Sequence, residues 1–247
     1  MINEKMAADL RALGIKSDDT VFVHSSLKSL GYVEGGADTV IDTLLSVLSD
    51  GTLLMPAFSY RYSRPETPYF SVNETPCCVG TIPETFRKRP GTIRSVHPSH
   101  SAAGIGKYAE EILGEHIKST TPVGPESPLA LLPKYHGKVL MLGCGTAPNT
   151  SMHGIEELVV PPYLYRDGDF AFTIVDKDGN ETVKRYKFHN FANTAQRYGR
   201  LEGLMEYTKG KVLEADCYVI DTETMWKVGY EKMKEDPMYF VDTVQPK

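Results

Sequence analysis

The sequence predicts an α/β fold: a central, mostly parallel or mixed sheet flanked by helices, with an appended β-hairpin and a helical C-terminal part. Three observations lead there. TVFVH (20–24), TLLMPAF (52–58) and KVLMLG (138–143) are short, continuous apolar runs, the pattern of strands covered on both faces. Between the first two, the stretch from Ala37 to about Leu48 carries Val40, Ile41, Leu44, Leu45 and Leu48 at helical spacing. After Pro161-Pro162 the pattern changes to PYLYRDGDFAFTIV and ETVKRYKF around Asp178-Gly179, which reads as a hairpin.

The remaining elements follow in chain order. Ile2, Met6, Leu10 and Leu13 form an apolar helical face that Gly14 ends. Asp50-Gly51 turns the chain between the first helix-and-strand pair, and residues 59–79 read as a long ordered loop with three prolines and four aromatics. Thr81-Ile82-Pro83-Glu84 has capping-box spacing and opens a helix through Arg89. A strand near Ile93–Val96, a helix near Gly106–Leu113 and a helix opened by Ser127-Pro128 come next. Asn149 caps a helix running to about Leu158. A polar helix (194–208), a strand (216–221) and a last helix (222–235) finish the chain. No repeat or linker divides it, so residues 1–247 are expected to form a single domain.

Composition narrows the function. With 27 basic and 32 acidic residues the net charge is −5, which argues against a nucleic-acid partner and suits a cationic small molecule. No apolar run is long enough to span a membrane, and the charged N-terminal stretch has no signal-peptide core. Cys77, Cys78, Cys144 and Cys217 suggest no disulfide framework, so the expected compartment is cytoplasmic.

Four stretches carry candidate chemistry. In NTSMHGIEE (149–157), His153 and Glu156 are three apart on one helical face. The carboxylate can orient the imidazole while the helix N-terminus opposes its protonation, a balance that suits a general base; a plain helix-start pair has the same spacing. In RSVHPSHS (94–101), His97 and His100 have ligand-like spacing, but Pro98 breaks the helix that would align them, and no metal is expected. In HSSLKSLGYVEGGADT (24–39), Gly35-Gly36 precede a helix start that can hold phosphate, as can any βα turn. Cys144 in LGCGT is a possible nucleophile or simply a small residue at a strand end.

Taken in order, three blocks resemble the aminoglycoside 3-N-acetyltransferase family, antibiotic N-acetyltransferases that use acetyl-CoA. They are VFVHSSLKSLGYVEGGADTVIDTLLSVLSDGTLLMPAFSY, then TPCCVGTIPETFRKRPGTIRSVHPSHSAAGIG with Arg94, Ser95, His97, Pro98 and Ser101, then TPVGPESPLALLPKYHGKVLMLGCGTAPNTSMHGIEE. Together they cover most of residues 18–166, a matched core followed by a divergent part at 167–247. The resemblance implies transfer of acetyl from acetyl-CoA to an amine, an aminoglycoside in the family, with His153 as general base oriented by Glu156. It carries coenzyme A contacts onto Ser25, Ser26, Leu27, Gly35, Gly36, Ser95 and Ser101, and gives Cys144 no role. Thr150 is the candidate donor to the oxyanion, and Asp167, Asp169, Glu202 and Glu206 are carboxylates available to a polycation. Two rival readings stay open: a coenzyme A-binding protein without transfer, and an acyl-cysteine transferase or thioesterase using Cys144. The oligomeric state, monomer or homodimer, is not fixed by sequence.

Overall fold

The structure is a computed structural model that describes residues 1–244; the last three positions of the expected 1–247 unit lie outside the described residues. Its centre is a seven-stranded mixed sheet. β1 (Thr20–Ser25) lies between β2 (Thr52–Pro56) and β6 (Lys138–Leu142), and these three are parallel. Antiparallel strands extend both edges: β5 (Ala102–Gly106) and β4 (Ile93–Arg94) beyond β2, β11 (Ala215–Asp221) and β10 (Thr208–Val212) beyond β6.

Strand alternation divides the apolar residues between two layers. Val21, Val23, Leu53 and Met55 face the layer of α1 (Glu4–Ala12), α2 (Gly36–Val47) and α3 (Thr81–Arg87), against Leu10, Ile41, Leu44 and Phe86. Phe22, Leu54, Val139 and Met141 face the opposite layer of α4 (Ala109–Gly114), α5 (Pro128–Leu131), α6 (Met152–Val159) and α7 (Thr222–Glu235), against Ile112, Leu129, Ile155 and Met225. Each of these side chains, once fully buried, contributes about 1.5–3 kcal/mol relative to exposure. A satellite sheet of β3 (Tyr69–Ser71), β7 (Phe170–Val175) and β8 (Glu181–Tyr186) has its own core of Phe70, Phe172, Ile174 and Tyr186. Among the described residues, no helix is long and apolar enough to cross a membrane.

Several elements differ from the sequence reading. The long loop contains β3, which pairs parallel with β7 about a hundred positions later. Gly106 belongs to β5 rather than to a helix: its φ is +125°, and a Cβ there would meet the Gly51 carbonyl oxygen at 2.2 Å. Glu84 forms no capping box; it accepts from the Cys77 N–H at 2.7 Å and pairs with Arg87, and α3 starts after Gly80 without a side-chain cap. Asn149 accepts from the Ser151 N–H at 3.2 Å in the preceding turn, and α6 begins only at Met152. The expected polar helix 194–208 is replaced by β9 (Thr194–Gln196) and a 3-10 segment, Tyr198–Gly203. β9 pairs with β12 (Val241–Thr243), and Tyr198 and Leu201 are buried, so tertiary pairing overrides the helical spacing of Leu201, Leu204 and Met205.

Candidate active site

The carboxyl ends of the three parallel strands open into a cleft of about 400 Å3, where an open α/β sheet presents its ligand crevice. β1 delivers His24 and Ser25 to it, the end of β2 delivers Pro56 and Phe58, and Cys144 follows β6. The far wall comes from the divergent part of the chain: Phe188, His189, Phe191, Gln196 and Tyr198.

His153 enters from the first turn of α6 and is buried, as is Glu156 one turn on, at 0% exposure. Their spacing brings His153 Nδ1 within 2.6 Å of Glu156 Oε2. Two tyrosines complete the carboxylate's shell: Tyr163 Oη donates to Oε1 at 2.7 Å, and Tyr198 Oη to Oε2 at 2.9 Å. Burial pushes the Glu156 carboxyl up, but the hydrogen bonds and charge of His153 and the Tyr163 bond outweigh it, and the group lies below its ordinary value. Burial, then the charge of Glu156, raises both phenols, so they stay protonated donors. In its neutral form, a His153 bonded to an ionised Glu156 carries its proton on Nδ1 and keeps Nε2 as an acceptor. Phe191 stacks on this imidazole with ring centroids 5.2 Å apart.

More imidazoles surround it. His100 and His189 are buried, and ring nitrogens of His100, His153 and His189 lie within 4.8 Å of one another. His189 Nε2 bonds Glu157 Oε1 at 2.9 Å, and His100 Nδ1 bonds Ser99 Oγ at 2.8 Å. Burial lowers both rings, most strongly His100, and keeps them neutral. Burial, then the charge of His153, brings His24 down to about 3.

Cys144 lines the cleft, yet burial pushes its thiol up to about 12, the opposite of what a nucleophilic thiolate needs. Thr150 also lines the cleft, with its hydroxyl 3.4 Å from the Pro148 carbonyl. Ser25 Oγ is buried with no protein hydrogen-bond partner. Ser26 and Leu27 form the following 3-10 turn, and Ser26 Oγ lies 2.9 Å from Ser29 Oγ. Gly35, at φ +75°, is the left-handed N-cap of α2, and a Cβ there would meet Thr39 Oγ1 at 2.3 Å; Gly36 opens the helix.

The R-S-x-H-P block lies deeper than its sequence suggested. Arg94 donates to the carbonyls of Val72, Thr75 and Ala57 and to Ser101 Oγ, while Ser101 donates to the Ala57 carbonyl. Ser95 accepts from the Ala102 N–H and bonds His116 Nδ1. Both serines are at most 1% exposed, with their hydroxyls hydrogen-bonded inside the fold. His97 stacks on His116, and its Nδ1 accepts from the His100 N–H at 3.1 Å. Asp167, Asp169, Glu202 and Glu206 are absent from the lining; Asp169 pairs with Lys187, and Glu202 with Thr146 and Lys209. Sequence reasoning missed Tyr163, Tyr198 and His189. The aromatic and imidazole density of YKFHNF (186–191) was the one available signal.

The arrangement can orient a neutral imidazole against a substrate proton in a partly closed, aromatic-walled cleft. A family model described as aminoglycoside 3-N-acetyltransferase matches residues 22–234. The SPbeta prophage-derived aminoglycoside N(3')-acetyltransferase-like protein YokD of Bacillus subtilis is 34% identical over 237 residues, covering 87% of this chain and 85% of its own. The crystal structure of YokD from Bacillus subtilis superposes with a TM-score of 0.81 at 29% identity, over 96% of this chain and 94% of that one. A mutant of aminoglycoside acetyltransferase AAC(3)-IVa in complex with a gentamicin gives a TM-score of 0.80 at 26% identity, over 96% and 90%. Fold and sequence thus converge, and the chain belongs to the aminoglycoside 3-N-acetyltransferase family of acyltransferases.

Proposed function

We propose that this acyltransferase moves the acetyl group of acetyl-CoA onto an amine of a small molecule, with His153 as general base held by Glu156. The observation that carries the reading is the buried His153–Glu156 pair, whose carboxylate is itself held by Tyr163 and Tyr198. An amine reaches the cleft as an ammonium and must lose a proton to attack. The ammonium gives one proton to solvent, and His153 Nε2 takes a second as the nitrogen bonds to the thioester carbonyl carbon. Glu156 stabilises the resulting imidazolium. Thr150 is the proposed donor to the oxyanion. When the intermediate collapses, the C–S bond breaks and the proton on His153 leaves with the coenzyme A thiolate, so charges balance and no acyl-enzyme forms. Ser25, Ser26, Leu27, Gly35 and Gly36 are the proposed coenzyme A contacts; Ser95 and Ser101 act indirectly, Ser101 by holding the Ala57 carbonyl just past β2.

Family membership and the gentamicin-bound relative support an aminoglycoside as the amine. One observation favours a second reading, an amine with an aromatic or apolar body. Phe58, Tyr60, Phe188 and Phe191 wall the cleft, and none of the four carboxylates read from the sequence reaches it. Release of free thiol from acetyl-CoA, measured without amine and with a panel of aminoglycosides and aryl or alkyl amines, tests both. Amine-dependent release that His153→Ala abolishes is the expected result. Release without amine would replace transfer by hydrolysis, and no release with any amine would leave a coenzyme A-binding protein.

A further inference from the structure

We propose that His100, His153 and His189 form a binding site for one divalent transition metal ion of the Zn2+ type, and that metal seated there blocks acetyl transfer by occupying Nε2 of His153. The blocking half rests on His153 being the base; the binding half stands on the cluster alone.

The three rings come from separate parts of the fold: the turn before β5, the first turn of α6 and the segment after β8. Each is oriented through one nitrogen. Glu156 holds Nδ1 of His153 at 2.6 Å, Glu157 holds Nε2 of His189 at 2.9 Å, and Ser99 Oγ holds Nδ1 of His100 at 2.8 Å. Adjacent carboxylates backing two imidazoles is the arrangement that fixes tautomers and strengthens nitrogen donors around a metal. Among the described residues, the second nitrogen of each ring has no hydrogen-bond partner, and for His189 that atom, Nδ1, is fully buried. Edge-to-face packing, with His100 at 5.7 Å from His153 and 5.3 Å from His189, accounts for the ring positions but not for an orphaned acceptor.

Tetrahedral zinc with bonds of about 2.0–2.1 Å sets its nitrogens about 3.3 Å apart. One ring nitrogen of each histidine already lies within 4.8 Å of the others, so the rings need only draw together to reach that separation. An all-imidazole donor set suits zinc, copper, nickel or cobalt rather than magnesium or calcium. Three protein ligands leave a fourth position facing the cleft, where water can bind.

Co2+ titration of the metal-free full chain, with no substrate present, tests binding directly. Visible d–d bands should saturate at one equivalent and be bleached by Zn2+. They should be lost in His189→Gln. Glu157→Gln, which keeps all three ligands and an acceptor for the Val123 N–H, should weaken affinity by about 10–100-fold. Zn2+ should then inhibit acetyl transfer in competition with the amine, and the half-inhibiting concentration should rise in Glu157→Gln by the factor found for binding. Absence of bands in the parent protein, or equal affinity in both variants, overturns the site. Bound metal with undiminished or faster transfer overturns the block. Full transfer activity in metal-free His153→Ala would remove the base assignment while leaving the cobalt result untouched, so the two readings fail separately.

Discussion

Replacing Glu156 by Gln keeps the volume of the site and removes its charge. The carboxylate is fully buried and accepts from His153, Tyr163 and Tyr198 at 2.6, 2.7 and 2.9 Å. An amide offers one acceptor oxygen where the carboxylate offers two. In the rotamer that keeps oxygen toward His153 and Tyr198, the NH2 faces Tyr163, whose hydroxyl can turn to accept. Hydrogen bonds to a charged group are worth about 1.5–3 kcal/mol and neutral ones about 0.5–1.5, so three conversions cost about 3 kcal/mol of stability. For a chain of this size that lowers Tm by roughly 6–12 °C. In catalysis only the bond to the imidazolium differs between ground and transition states. Losing about 1–1.5 kcal/mol there slows kcat roughly 10-fold. His153→Ala removes the base itself and should lower kcat by about 10²–10⁴-fold. Thermal melts and steady-state thiol release on both variants, with the acetyl-CoA Kd measured alongside, check the ordering. A Glu156→Gln enzyme with unchanged kcat and a lowered Tm would refute the reasoning, since the pair would then be only a brace for the helix start.

Three further outcomes follow from other parts of the molecule. Cys144→Ala should retain most activity, because burial holds that thiol at about 12; an acetylated Cys144 in rapid-quench mass spectrometry, with turnover lost in the variant, would reverse this. Acetyl-CoA at about 100 times its Kd should stabilise the fold by about 2.7 kcal/mol, and a melt unmoved at millimolar acetyl-CoA would argue against a coenzyme A site. Glu84 is raised by burial but lowered further by its bonds to Arg87, Lys88 and the Cys77 N–H, reaching about 2. A depressed folded value means this stabilisation is complete above the unfolded value of about 4.3 and is lost as pH falls through about 2. The stability gap between the parent and Glu84→Gln should therefore be constant near neutrality and close between about pH 4.3 and 2; a gap that widens on acidification would contradict the pairing.

The parts of this protein legible in the sequence are those whose physics is local. β1, β2 and β6 announce themselves as continuous apolar runs because helices cover both their faces. α7 is bounded by Asp221, whose carboxylate caps the Thr224 N–H, a signal contained within four residues. The β7–β8 hairpin is marked by its turn, and His153 meets Glu156 because a helical turn alone brings them together. Tertiary structure decided whatever depends on partners far along the chain. Residues 194–196 become a strand only because 241–243 lie beside them, and 102–106 because β2 and β4 flank it. Tyr198 reaches Glu156 across 42 positions, and His100, His153 and His189 converge from three segments that share no spacing rule. The buried positions of Ser95 and Ser101 follow from Arg94 gathering distant carbonyls, which no motif encodes. Sequence by itself thus determined the sheet's parallel core, the family resemblance and the contact between His153 and Glu156. The tertiary fold decided what surrounds that pair, because hydrogen bonds and imidazole lone pairs act over about 3 Å in space whatever their separation along the chain.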